Sequence, residues 1–135
     1  MSVDRAVAKV ETTLSVLRDI AGVYGSFFIS PSGSLVCKDL PRVYDEALFA
    51  DVGPRLIRLQ ETLASAGQGL DTCLLRFDDI RLFLFPSLHG SLGVLFSASA
   101  DLKAVKMSVR LAARRIGAEL TGLGDIPPPS ARRRA

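Results

Sequence analysis

The sequence predicts an α/β domain of the α+β type, a three-layer sandwich in which helices cover both faces of a five-stranded, mostly antiparallel sheet. Three observations support this prediction. Apolar residues recur every three or four positions in long segments, which is typical of amphipathic helices. Shorter segments rich in β-branched and aromatic residues are bounded by turn residues, which is typical of strands. The 135 residues, 48% hydrophobic and 23% charged, suit one globular domain.

The helical segments are separated by two groups of strand-like segments, in the order α-β-β-α-β-β-β-α. The first predicted helix covers residues 3–21, and the last covers residues 99–120. The second begins at Asp45, a favourable N-cap residue, and ends at the glycines of residues 67–69. Gly53-Pro54 lies inside this second helix, and because proline removes a backbone hydrogen bond there, we expect a kink or a break.

The predicted strands cover residues 23–29, 35–37, 72–77, 81–85 and 92–97. The turn between the first two contains Pro31 and Gly33, and Asp78-Asp79 predicts a polar hairpin turn later in the chain. The last two strands are almost wholly apolar, so both of their faces must be covered by helices. Residues 82–100 carry no charged side chain, but Pro86 and two glycines interrupt them, so two strands are expected rather than a membrane span.

The surplus of positive charge lies at the C-terminus. The chain has 17 basic and 14 acidic residues, and Arg132, Arg133 and Arg134 account for the surplus. A neutral folded body has no general electrostatic attraction for nucleic acid, so we expect no nucleic-acid partner. Residues 123–135 combine prolines and arginines and are predicted to be a disordered tail that buries no face, following a folded domain of residues 1–122.

The sequence contains few residues suited to catalysis. Cys37 and Cys73 form no metal-binding pair and are expected to be buried thiols in a reducing, cytoplasmic compartment. His89, the single histidine, has no evident catalytic partners and is interpreted as a turn residue. Phosphate-binding and hydrolase motifs are also missing from the sequence. We therefore expect no enzymatic activity, no catalytic residues, no metal site and no cofactor.

Two segments could bind other macromolecules. Lys103, Lys106, Arg110 and Arg114 follow helical spacing in the last helix and form either a solvated face or a surface for an acidic partner. Strand 72–77 is either an interior strand or an edge strand, and a free edge would pair with the same strand of a second copy in a two-fold dimer.

The order of these elements and several short sequences resemble the Roadblock/dynein light chain domain, of the type that regulates small GTPases in prokaryotes. The matching sequences are residues 22–26 (GVYGS), Ser32-Gly33 followed by Leu35-Val36, Leu40-Pro41, and Gly93-Val94-Leu95. The resemblance extends over residues 3–120. It implies the strand order 2-1-5-4-3, with the second helix on one face of the sheet and the first and last helices on the other.

The resemblance also implies a function. Such domains dimerise by pairing their third strands and packing their second helices together, which here assigns the dimer interface to Thr72, Cys73, Leu74, Leu75, Arg76 and Phe77. The paired second helices would bind a small Ras-like GTPase through Asp51, Arg55, Arg58 and Glu61 and alter its GTP hydrolysis or exchange. The alternative is a scaffold or adaptor subunit, homodimeric or paired with another Roadblock chain, that leaves nucleotide turnover unchanged.

Overall fold

The computed structural model describes residues 3–67 and 73–132. In these ranges the helices are α1 (Val3–Leu17), α2 (Glu46–Ser65), α3 (Leu102–Leu120) and α4 (Pro129–Arg132). The strands are β1 (Val23–Ile29), β2 (Leu35–Asp39), β3 (Cys73–Phe77), β4 (Ile80–Ser87) and β5 (Gly90–Ser97). The predicted order of elements is therefore confirmed, and the short α4 follows it.

All neighbouring strands of the described sheet are antiparallel, in the order β2-β1-β5-β4-β3. This is the strand order that the resemblance implies. The charge-free segment forms β4 and β5, which pair along their whole length around the turn at Leu88-His89. In the described part of the chain, no helix is both long enough and apolar enough to cross a bilayer.

The two faces of the sheet carry separate hydrophobic clusters. The first cluster packs α1 and α3 against one face of the sheet. The second packs α2 against the other face. Large side chains at the centre of the first cluster are Leu14, Phe28, Phe83, Leu92 and Ile116, and those of the second are Phe27, Ile29, Phe49, Leu56 and Leu84. The three-layer arrangement is thus confirmed, because apolar side chains alternate between two covered faces.

Helix α2 begins as the sequence predicts and continues through its proline. The Asp45 side chain accepts a hydrogen bond from the Leu48 N–H at 2.9 Å, which satisfies a donor of the first turn. The predicted alternative of a break at Pro54 is wrong. The β1–β2 turn packs against this point, since a Cβ added to Gly53 would lie 1.8 Å from the Gly33 oxygen. This contact holds the helix where proline removes a local hydrogen bond.

Helix α1 was predicted to end at residue 21, but it ends earlier, at Leu17. The amides of Arg18 and Ile20 bond to carbonyls three residues earlier, so the last turn tightens and the helix stops. Gly22 then takes a positive φ of 88° and reverses the chain into β1, as expected of a stop residue.

The expectation that residues 123–135 bury no face is wrong for part of the segment. Ile126 is 8% exposed and belongs to the first cluster, against which Leu123 also packs. The sequence shows these two apolar residues only as isolated positions among prolines and glycines, without a periodic pattern. The division between a domain of residues 1–122 and a tail stays a prediction, and residues 133–135 lie outside the described residues.

Candidate functional site

Strand β3 is an edge strand, so the alternative of an interior position is wrong. Its described residues pair with β4, from Cys73 opposite Leu84 to Phe77 opposite Ile80. The outer backbone groups of β3 therefore have no strand beside them within the ranges that the structure describes. Such a row of N–H and C=O groups can pair with another chain. Thr72, predicted to begin this strand, lies outside the described residues.

The side chains of β3 alternate between the two layers. Cys73 is buried in the second cluster under α2, and Leu75 packs beside it, whereas Leu74 packs against the first cluster. Burial raises the pKa of the Cys73 thiol. Arg76 is exposed, and Phe77 is 55% exposed. The strand thus presents a large apolar side chain to solvent at an unpaired sheet edge.

A tight turn fixes the end of this edge. Asp78 has a positive φ of 47°, a left-handed conformation that aspartate adopts more readily than most residues. The Arg81 guanidinium donates to the Asp78 carbonyl at 2.7 Å, and the Asp79 carbonyl accepts from the Ala98 N–H at 2.8 Å. The predicted polar hairpin turn is confirmed, and it holds Phe77 at the corner of the sheet.

The outer side of α2 carries the charged residues named from the sequence. Asp51, Arg55, Arg58 and Glu61 are all exposed. Asp51 and Arg55 form an ion pair at 3.2 Å between residues four apart, an exposed contact that contributes only about 0.3–0.5 kcal/mol. Among the described residues Arg58 makes no salt bridge. The row is therefore held weakly and can exchange its contacts for those of a partner.

A buried polar contact, which the sequence did not predict, anchors the second half of α2. The Ser91 hydroxyl on β5 donates to Gln60 Oε1 at 2.7 Å, and both residues are buried. Gln60 occupies an inward position beside the apolar stripe of α2. A polar residue at such a position was the only feature of the sequence that could have indicated this hydrogen bond. A hydrogen bond in an apolar layer resists rotation of the helix, so it fixes which residues of α2 face outward.

His89 lies in the β4–β5 turn, as interpreted from the sequence. Its Nε2 is 3.2 Å from the Thr121 hydroxyl at the end of α3, in a contact at the surface of the domain. Within residues 3–67 and 73–132, the structure places no three His, Cys, Asp or Glu side chains where they could hold a metal ion. His89 therefore connects the β4–β5 turn to the end of α3 through this contact.

The basic row of α3 is mostly solvated. Lys103, Arg110 and Arg114 are exposed. Lys106 instead folds back towards the sheet, with its Nζ 6.0 Å from the centre of the Phe83 ring, which indicates a cation–π contact. The interpretation as a solvated face fits three of the four residues, and an acidic partner for this face stays a prediction.

Solved structures of known proteins share this architecture. A Roadblock/LC7 domain from Streptomyces avermitilis superposes with a TM-score of 0.70 and 16% identity, over 80% of this chain and 94% of that one. The chain has the Roadblock fold. The MglB protein of Myxococcus xanthus gives a TM-score of 0.73 at 14% identity, over 88% of this chain and 92% of that one. A gliding protein MglB from Thermus thermophilus gives 0.62 at 16% identity, over 88% and 91%.

The Roadblock fold of this chain is shared without close sequence similarity. No protein-family model and no curated protein matches the sequence. The likeness to the first two of these structures extends over 80% and 88% of this chain. Likeness at this level of identity establishes the fold, and function must be argued from the chain's own surfaces.

Proposed function

We propose that this chain is a non-catalytic regulator that forms a homodimer through β3 and α2 and binds a small Ras-like GTPase, altering its GTP hydrolysis or nucleotide exchange. The observation that carries the proposal is the free edge of β3. Helix α2, which covers the sheet on one face, carries an exposed row of charged residues on its outer side. The Roadblock fold and the sequence resemblance support it, because they imply dimerisation and partner binding at these two elements.

The dimer follows from the edge of the sheet. Two β3 strands related by a two-fold axis satisfy each other's outer backbone groups and extend the sheet across both subunits. Phe77, exposed on each subunit, would become covered at the seam, and Leu75 would approach its symmetry mate on the α2 side. The two α2 helices would then lie on the same face of the continuous sheet and present their charged rows together.

The partner-binding surface follows from the charges of α2. Asp51, Arg55, Arg58 and Glu61 carry two positive and two negative charges along one exposed face. Arg58 has no acidic partner in the part of the chain that the structure describes, so it is available to a partner's phosphates or carboxylates. A surface of this kind acts by binding one conformation of the switch loops better than another and so shifting their populations. An inserted Arg55 or Arg58 would instead stabilise the transition state directly.

A turnover assay tests this proposal. The purified chain is mixed with the small Ras-like GTPases encoded in the same genome, and GTP hydrolysis and nucleotide release are measured separately. We expect one of the two rates to change at least tenfold with one GTPase. Arg58→Ala should lose most of this effect, and Lys103→Ala, a matched basic-to-alanine change on α3, should keep it.

The outcomes separate the candidate functions. Binding with both rates unchanged would replace the regulator by the scaffold alternative. No binding to any of these GTPases would contradict the proposal, as would equal effects of Arg58→Ala and Lys103→Ala. A chain that is dimeric but binds elsewhere would keep the effect when the α2 row is altered.

A further inference from the structure

The second edge of the described sheet, β2, is not open in the way that β3 is. The segment of residues 126–132 passes beside β2 and connects the two layers around it. At one end Ile126 is buried in the first cluster, with α1 and α3. At the other end Ser130 contacts Glu46 at the start of α2, on the opposite face. A segment anchored in both layers must cross the sheet edge that lies between them.

The anchor on α2 is specific. The Ser130 N–H and hydroxyl donate to the two carboxylate oxygens of Glu46, at 2.8 and 2.5 Å. The Arg132 guanidinium donates back to the Pro127 carbonyl at 2.6 Å, which closes the segment into a compact turn. Hydrogen bonds to a carboxylate are stronger than neutral ones, so this end resists release.

The segment borders a groove of about 600 Å³ at the β2 edge, which Pro129 and Arg132 line from the segment side. The rest of the domain lines this groove with Cys37 and with acidic and basic side chains, namely Glu11, Asp39, Asp45, Glu46, Lys38 and Arg42. Burial raises the pKa of Cys37 to about 12, Glu11 acts in the same direction, and Arg132 opposes both. The Arg132 guanidinium is therefore close enough to Cys37 to influence its thiol.

The composition of the segment prevents it from becoming a new edge. Pro127, Pro128 and Pro129 have no backbone N–H and cannot extend a strand ladder. In the described ranges, the segment makes no backbone–backbone hydrogen bond to β2. It thus lies against the edge without continuing the sheet, which is one of the ways in which native proteins keep edge strands from pairing.

We propose that residues 126–132 are a built-in cover for β2, which stops this edge from pairing with a strand of a second copy of the chain. A sheet with both edges open can associate without limit, because each added copy presents another edge. Covering β2 leaves β3 as the edge that can pair, so association ends at a closed pair. The cover itself needs neither the GTPase nor the dimer proposed above.

Thiol labelling tests the cover, because Cys37 lines the groove that Pro129 and Arg132 of the segment border. Ile126→Asp should release the segment, and Cys37 should react with a maleimide at least ten times faster than in the unaltered chain, measured by peptide mass spectrometry. Cys73, buried in the other layer, should keep its rate and serves as the internal reference. Ile126→Val and Met107→Asp, the latter an apolar-to-acid change at a 64% exposed position, should leave both rates unchanged.

A second variant avoids the core. Ser130→Asp places a carboxylate against Glu46 at an exposed position, and the repulsion should release the same segment. Both variants should also form species larger than those of the unaltered chain in sedimentation velocity, increasing with concentration. If Cys37 stays protected in Ser130→Asp, or reacts faster without any added association, the cover is refuted. Acceleration of Cys73 in Ile126→Asp would indicate unfolding, and the Ser130→Asp result then decides.

Discussion

Replacing Phe77 by alanine tests the proposed dimer at its most exposed apolar contact. Phe77 is 55% exposed, so about 110 Å² of a phenylalanine surface of roughly 200 Å² is available for burial on each subunit. At about 25 cal/mol per Å², two such side chains contribute up to about 5.5 kcal/mol to a symmetric dimer. An alanine side chain retains part of this apolar area, and the dimer interface covers only part of each Phe77 side chain. The expected loss of dimerisation free energy is therefore about 2–4 kcal/mol. The dimer Kd should therefore rise roughly 30- to 700-fold.

The assay is light scattering and sedimentation over a range of concentrations, in which the dimer should show about twice the mass of the 14.5 kDa chain. Leu88→Ala is the matched control, because Leu88 is 76% exposed and lies in the β4–β5 turn, at the other end of β4 from the residue that pairs with Phe77. Thermal unfolding checks that neither change unfolds the subunit. A monomeric unaltered chain, or equal effects of the two substitutions, would refute the reasoning from the β3 edge.

Two further predictions concern the fold. Gly53→Ala should destabilise the chain by more than about 2 kcal/mol in urea unfolding, because the added Cβ would lie 1.8 Å from the Gly33 oxygen. The control is Ala47→Gly on the exposed side of α2, which should lower the free energy of unfolding by only about 1 kcal/mol. Burial raises the pKa of Cys37 from 9.0 to about 12, so the unfolded chain loses this proton first and stability should fall as pH rises through that range, by at most about 1.4 kcal/mol per unit. Cys37→Ser should show a shallower decline; an unchanged slope would contradict the assignment.

The sequence predicted the helices and strands well because their patterns are local. The short apolar segments of the strands and the apolar stripe of α2 depend on neighbours a few positions away. The N-cap at Asp45 and the turn at Asp78-Asp79 were predicted for the same reason, and both are confirmed. The end of α1 was misplaced because apolar spacing continues beyond Leu17 while the backbone has already tightened into a turn.

The candidate surfaces were only partly predictable. The residues alone left β3 either inside the sheet or at its edge, since the sequence of a strand does not determine which strands pair with it. Asp51, Arg55, Arg58 and Glu61, which the resemblance names, all lie on the exposed side of α2, opposite its apolar stripe. The contact of Gln60 with Ser91 was missed, because it joins residues 31 positions apart on different elements.

By itself, the sequence determined which segments are helices or strands and which of their faces are apolar, because both properties arise from steric and hydrophobic preferences over a few residues. The tertiary structure decided which strands are edges, where Gly33 meets Gly53, and which segment lies beside β2. Each of these depends on segments brought together from far apart, as with Ser130 and Glu46, 84 positions distant. Such contacts form only when the layers close on one another, so a polar serine in a proline-rich segment carries no local sign of its partner.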